Sequence, residues 1–188
     1  MCGLTARYNQ SRSWCCNTLH PALLPITCSK MADTTVKSLR ASLCSQETPL
    51  AVQFRALFSL KHLATTSEDS AAIAAIEAIA AGFASPSALL KHELAYCLGQ
   101  TKKDAAVKPL RDVLSDLQED PMVRHEAAEA LGALGKAENL DILKQFRDRE
   151  GEDIAVKETC EIAIDRVEWE NSPERLQEKL RQRYAPSI

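Results

Sequence analysis

From about Lys37 to Trp169, apolar residues recur at three-and-four spacing in an alanine- and leucine-rich pattern, the mark of amphipathic helices. Short polar breaks rich in Ser, Thr, Asp, Pro or Gly cut this region at Gln46–Pro49, Thr65–Ser70, Gly82–Pro86, Gly99–Asp104, Glu119–Pro121, Gly135–Asn139 and Arg149–Asp153. The spacing of these breaks predicts helices of about 10 to 15 residues, the ordinary globular length. No segment alternates as a half-buried strand does, so the predicted class is all-α.

The pattern also repeats. Leu50–His62, Ala88–Gln100, Pro121–Ala133 and Ile154–Arg166 align without gaps. One column of this alignment reads Phe54, His92, His125 and Glu158, at separations of 38, 33 and 33 residues. Six positions further on stands an unbroken apolar column, Leu60, Leu98, Leu131 and Ile164. Three positions after the first column come Leu57, Ala95, Ala128 and Glu161, so the last repeat matches imperfectly. A period in the thirties with two helices per unit predicts an α-solenoid of about four HEAT-like helical hairpins. No single hairpin can bury its own apolar face, so neighbours must stack. The aligned segments are the predicted second helices. The predicted first helices are Thr34–Leu43, Ser70–Gly82, Ala105–Leu117 and Asn139–Arg147.

The ends of the chain read differently. Residues 1–33 have three basic residues, Arg7, Arg12 and Lys30, no acid before Asp33, and Pro21 and Pro25 inside their one hydrophobic patch. They are expected to form a disordered extension, a transit peptide being the alternative that the basic, acid-free composition allows. Residues 34–170 form the expected repeat domain. Residues 171–188 are expected to be a charged, linker-like helix or tail.

Composition narrows the function. Of 188 residues, 45% are hydrophobic and 26% charged, enough for a packed core. Six glycines and a 5% aromatic share argue against a β-sandwich or barrel. A formal charge of −3 lacks the electrostatic footprint of a general nucleic-acid binder. No stretch approaches the roughly 18 to 20 apolar residues that span a bilayer, so neither nucleic acid nor membrane is an expected partner. Seven cysteines, four of them in the first 28 residues, give no disulfide framework. Cys44, Cys97 and Cys160 fall inside helical patterns as small hydrophobes, and a reducing cytoplasmic (or nuclear) setting is expected. Gly99 and Gly132 fall at helix ends, where glycine is expected to close a helix in the left-handed conformation.

The candidate chemistry lies in one repeat column. His92 and His125 share it, and each is followed by glutamate, Glu93 and Glu126. Second helices of a solenoid lie side by side, roughly 10 Å apart, so equivalent residues form a row facing one way. Two imidazoles and a carboxylate with open positions form the donor set of oxygen-activating non-haem Fe(II) sites. On the residues alone a second reading stays open, in which a basic-His-Glu step serves the helix dipole or an ion pair between repeats. The outer repeats place Phe54 and Glu158 in the histidine column, with Arg55 and Thr159 in the glutamate column, either supporting the candidate ligands from behind or serving as ordinary packing or surface. Tyr96 and Glu129 follow the pairs by one turn and are lesser candidates for ligand contact.

The segments Leu-Leu-Lys-His-Glu-Leu-Ala-Tyr-Cys-Leu-Gly-Gln (89–100) and Asp-Pro-Met-Val-Arg-His-Glu-Ala-Ala-Glu-Ala-Leu-Gly-Ala-Leu-Gly (120–135) resemble those of the deoxyhypusine hydroxylases. So do Arg-Ala-Leu-Phe-Ser-Leu (55–60) and Lys-Glu-Thr-Cys-Glu-Ile-Ala (157–163). The resemblance spans residues 37 to 170 and is specific, because general HEAT proteins lack paired His-Glu steps. It implies a HEAT-repeat di-iron monooxygenase that hydroxylates the deoxyhypusine side chain of a translation factor to form hypusine. It implies that His92, His125 and Glu126 bind Fe2+, and that Glu93 lies at the metal facing the substrate amine. Members of that family carry two such halves with the iron pair between them. This chain resembles the N-terminal half, so one iron per chain is expected, with a second chain or a C-terminal half as partner. Two other functions stay open: a non-catalytic HEAT scaffold, and a HEAT-type lyase acting on a tetrapyrrole-bearing protein.

Overall fold

A computed structural model describes the chain over residues 28–67 and 69–183, with side chains from Thr34 onward. Within these residues the structure is helical, and no strand occurs. Four hairpins follow one another: α1 (Cys28–Cys44) with α2 (Leu50–Thr66), α3 (Asp69–Ala80) with α4 (Ala88–Gln100), α5 (Val107–Ser115) with α6 (Pro121–Leu134), and α7 (Leu140–Asp148) with α8 (Ile154–Glu170). A last helix, α9 (Pro173–Arg183), buries no residue. The four second helices start at the predicted residues. The first helix departs most, beginning at Cys28 rather than Thr34. Residues 1–27 of the expected N-terminal extension lie outside the described residues. No described helix is long and apolar enough to cross a membrane.

The second helices start where they do because one repeat column caps them. Ser87 accepts a hydrogen bond from the Leu90 N–H, Asp120 from the Met122 N–H and Asp153 from the Ala155 N–H. The first repeat has Pro49 in that column and no side-chain cap. Behind the caps, the apolar column Leu60, Leu98, Leu131 and Ile164 runs through the core, the three leucines wholly buried. α2, α4, α6 and α8 form one layer and α1, α3, α5 and α7 the other. The broadest packing joins α4 to α6 and α6 to α8.

Two glycines set how closely that layer packs, and here the sequence expectation needs correction. Gly99 and Gly132 lie within the helical span and do not close helices in the left-handed conformation. Gly135, at φ +68°, does so for α6. A Cβ on Gly99 would fall 2.9 Å from the Cα of Ala130, and one on Gly132 would fall 2.8 Å from the Cα of Ala163. Backbone meets backbone there, so only hydrogen fits. In sequence the two positions precede polar breaks, as caps do, whereas interhelical contact requires them.

The basic residue before each His-Glu pair fastens neighbouring hairpins. Lys91 pairs with Glu119 at 2.5 Å. Arg124 is buried, donates through Nε to the Leu114 carbonyl, forks onto both Glu152 oxygens at 2.7 and 2.8 Å, and lies over the Phe146 ring. The fork holds the Glu152 carboxyl down at about 2. Cys97 and Cys160 are buried among apolar side chains, and burial pushes both thiols up to about 12. Cys44 is the last residue of α1, inside the helix as expected, and is exposed.

Candidate metal centre

His92 stands in the second turn of α4, and His125 and Glu126 stand in the matching turn of α6. Close packing at Gly99, two turns beyond His92 on the same helix face, brings the two helices into register for contact. The Nε2 of His92 lies 3.1 Å from a carboxylate oxygen of Glu126. The two imidazole rings tilt toward each other with centroids 5.7 Å apart. One donor atom from each of His92, His125 and Glu126 lies within 4.8 Å of the others. Three of the four singled-out side chains therefore converge. Glu93, half-buried on α4, stands outside this triad, but its charge reaches Glu126.

The electrostatics suit a cation. Glu126 is buried, and burial together with the charges of Glu129 and Glu93 raises its carboxyl to about 7. His125 is lowered from its ordinary value by burial and by His92 beside it. Two adjacent imidazoles disfavour a proton between them, and three crowded carboxylates disfavour further negative charge. A divalent ion relieves both.

His125 carries the most specific signal. Its Nδ1 lies 3.3 Å from the hydroxyl of Thr159 on α8. Its Nε2 is buried and has no hydrogen-bond partner. A buried nitrogen without a partner is costly in a packed protein. A lone pair awaiting a metal accounts for it, and the donor set of two imidazoles and a carboxylate fits ferrous iron. The sequence leaves Thr159 either behind the metal ligands or in ordinary packing. Its place in the glutamate column was the available signal, but no periodicity reports which neighbour a side chain touches. The outer Glu158 falls outside the triad, as does Tyr96, which is exposed and lies under the Lys61 ammonium.

Comparison with known proteins bears on the family and the fold. Residues 76–164 match the family described as HEAT repeats. The chain is 74% identical over 154 residues to a deoxyhypusine hydroxylase of Gibberella zeae, covering 81% of this chain and 46% of that protein. It is 72% identical over 149 residues to one from Neurospora crassa, covering 79% of this chain and 46% of that protein. Its fold superposes on the structure of human deoxyhypusine hydroxylase in complex with glycerol with a TM-score of 0.68 and 41% identity, covering 85% of this chain and 49% of that one. The chain is thus a HEAT-repeat relative of the deoxyhypusine hydroxylases, and it spans about half the length of the curated relatives it matches.

Proposed function

We propose that this half-length relative of the deoxyhypusine hydroxylases supplies one iron-binding half of an enzyme that hydroxylates deoxyhypusine in a translation factor. The observation that carries this reading is the triad of His92, His125 and Glu126, in which the Nε2 of His125 is buried and has no hydrogen-bond partner. In it, His92 and His125 hold Fe2+ as neutral imidazoles and Glu126 holds it as carboxylate. Bound there, iron supplies the oxygen activation that hydroxylating an aliphatic carbon requires.

The chain's own residues do the remaining work. The neighbouring carboxylates oppose a bare negative charge at Glu126, so its ionised form is favoured when a cation is present. Glu93, half-buried beside the triad and free of the ligand set, faces the cationic amine of the substrate side chain and orients it by charge. Glu126 is buried and His125 half-buried, which limits water around the triad. The scaffold alternative leaves the unpartnered Nε2 without an explanation.

A second set of ligands completes the di-iron centre in this reading, contributed by a facing chain or by a C-terminal half, and the cytoplasm is the expected setting. The test is hydroxylation of the deoxyhypusine-bearing factor by the purified chain, alone and with a C-terminal half added in trans, with native mass measured in parallel. Turnover is expected only when two sets of ligands face each other. Full turnover by a strict monomer refutes the two-half account. No turnover with the complementing half present refutes the enzymatic one.

A further inference from the structure

The hydroxyl of Thr159 and the carboxylate of Glu126 occupy the same repeat column, and both make the same reach. Glu126 on α6 contacts His92 on α4, and Thr159 on α8 contacts His125 on α6, each across 34 residues. One packing register therefore delivers a side chain from α6 and another from α8 onto the histidine of the repeat before each. At the first step the side chain is a carboxylate and joins the triad. At the second it is a short neutral hydroxyl and touches the far nitrogen of the ring.

We propose that Thr159 is a positioning residue for the metal centre: its hydroxyl accepts the Nδ1–H of His125, fixing the tautomer and ring rotation that leave the Nε2 lone pair free for a metal. This rests on the reading of His92, His125 and Glu126 as metal ligands. A neutral imidazole has one proton for two nitrogens. If the threonine hydroxyl donated to Nδ1 instead, the proton would sit on Nε2, which is buried without an acceptor. With the proton on Nδ1, the 3.3 Å contact to Thr159 satisfies it, and the orphaned atom is a lone pair with a use. Outer hydrogen bonds of this kind orient a ligating histidine and raise its basicity. A glutamate at position 159 would add another charge to a site already crowded with carboxylates, whereas threonine holds the ring at no electrostatic cost.

The test uses the full chain and two substitutions, Thr159→Val, which keeps the shape and removes the hydroxyl, and Thr159→Ser, which keeps the hydroxyl. The first readout needs no metal. Nitrogen-15 NMR of the His125 ring at about pH 8 should show it protonated on Nδ1 in the wild type and in Thr159→Ser. Thr159→Val should lose that preference. The second readout is titration with Co2+, followed by its visible absorption. Thr159→Val should bind about 10- to 100-fold more weakly than the wild type, and Thr159→Ser should restore most of the affinity. A His125 proton on Nε2 in the wild type, or equal Co2+ affinity in all three proteins, overturns the proposal. Wild-type protein that shows the Nδ1 tautomer and binds no Co2+ upholds the role of Thr159 toward His125 while sinking the metal reading itself.

Discussion

Arg124 and His125 are adjacent in sequence and do opposite work. Arg124 turns into the seam between hairpins, where it grips Glu152 and the Leu114 carbonyl, while His125 turns along the layer toward His92. Of the two readings left open for the basic-His-Glu step, the ion pair between repeats holds for Arg124, while His125 joins the cluster on which the metal proposal rests. The ion pair can be tested apart from the site. Replacing Glu152 by Gln strands the buried Arg124 guanidinium and should cost on the order of 3 kcal/mol at neutral pH. Its folded carboxyl sits at about 2, below the ordinary 4.5, so its contribution is full above about 4.5 and is lost as pH falls through 2. Urea unfolding should thus find the variant's deficit largest at pH 7 and shrinking between 4.5 and 2. A deficit that does not change over that range contradicts the assignment. At this scale His92, His125 and Glu126 were legible because two identical pairs in register stand out in sequence. The Thr159 contact was not, because a hydroxyl reveals its role only through the neighbour that packing gives it.

The second helices were legible almost to the residue, since apolar period, capping Ser or Asp and following break all agree for α4, α6 and α8. What the pattern could not carry was the distance between them. Gly99 is the clearest case: its spacing marks a helix end, while its role is to let α4 lie against the Ala130 backbone. Replacing Gly99 by Ala raises helix propensity, yet the added methyl must force α4 and α6 apart. The expected result is a net loss of about 1 to 3 kcal/mol from overpacking, read as a lower melting temperature. The same substitution should weaken Co2+ binding, because the helices it separates carry His92 on one side and His125 with Glu126 on the other. A melting temperature that rises, as propensity alone dictates, would show that the close approach does not constrain the layer.

As a whole the chain is a row of hairpins in which each buries its face against the next, so stability is built from neighbour contacts. Amide exchange should follow that gradient. Protection should be greatest in α6, which is packed between α4 and α8, and least in α9, which buries no residue. Equal protection along the row would contradict the two-layer description. The repeat period made the solenoid legible from sequence, and the all-α class with it, because period and hairpin length are one-dimensional properties. The start of α1 was not, since the apolar period that marks the other helices weakens ahead of Val36. The row also places the site: two adjacent second helices, α4 and α6, provide the one triad. The central claim is that this triad holds iron. The most direct measurement is iron content of the chain after anaerobic loading with Fe2+ and removal of excess, for the wild type and for a variant with both His92 and His125 replaced by Ala. The account predicts about one iron per wild-type chain and none in the variant, with the helical circular dichroism of the two unchanged. Equal iron in both proteins, or none in the wild type, would contradict it.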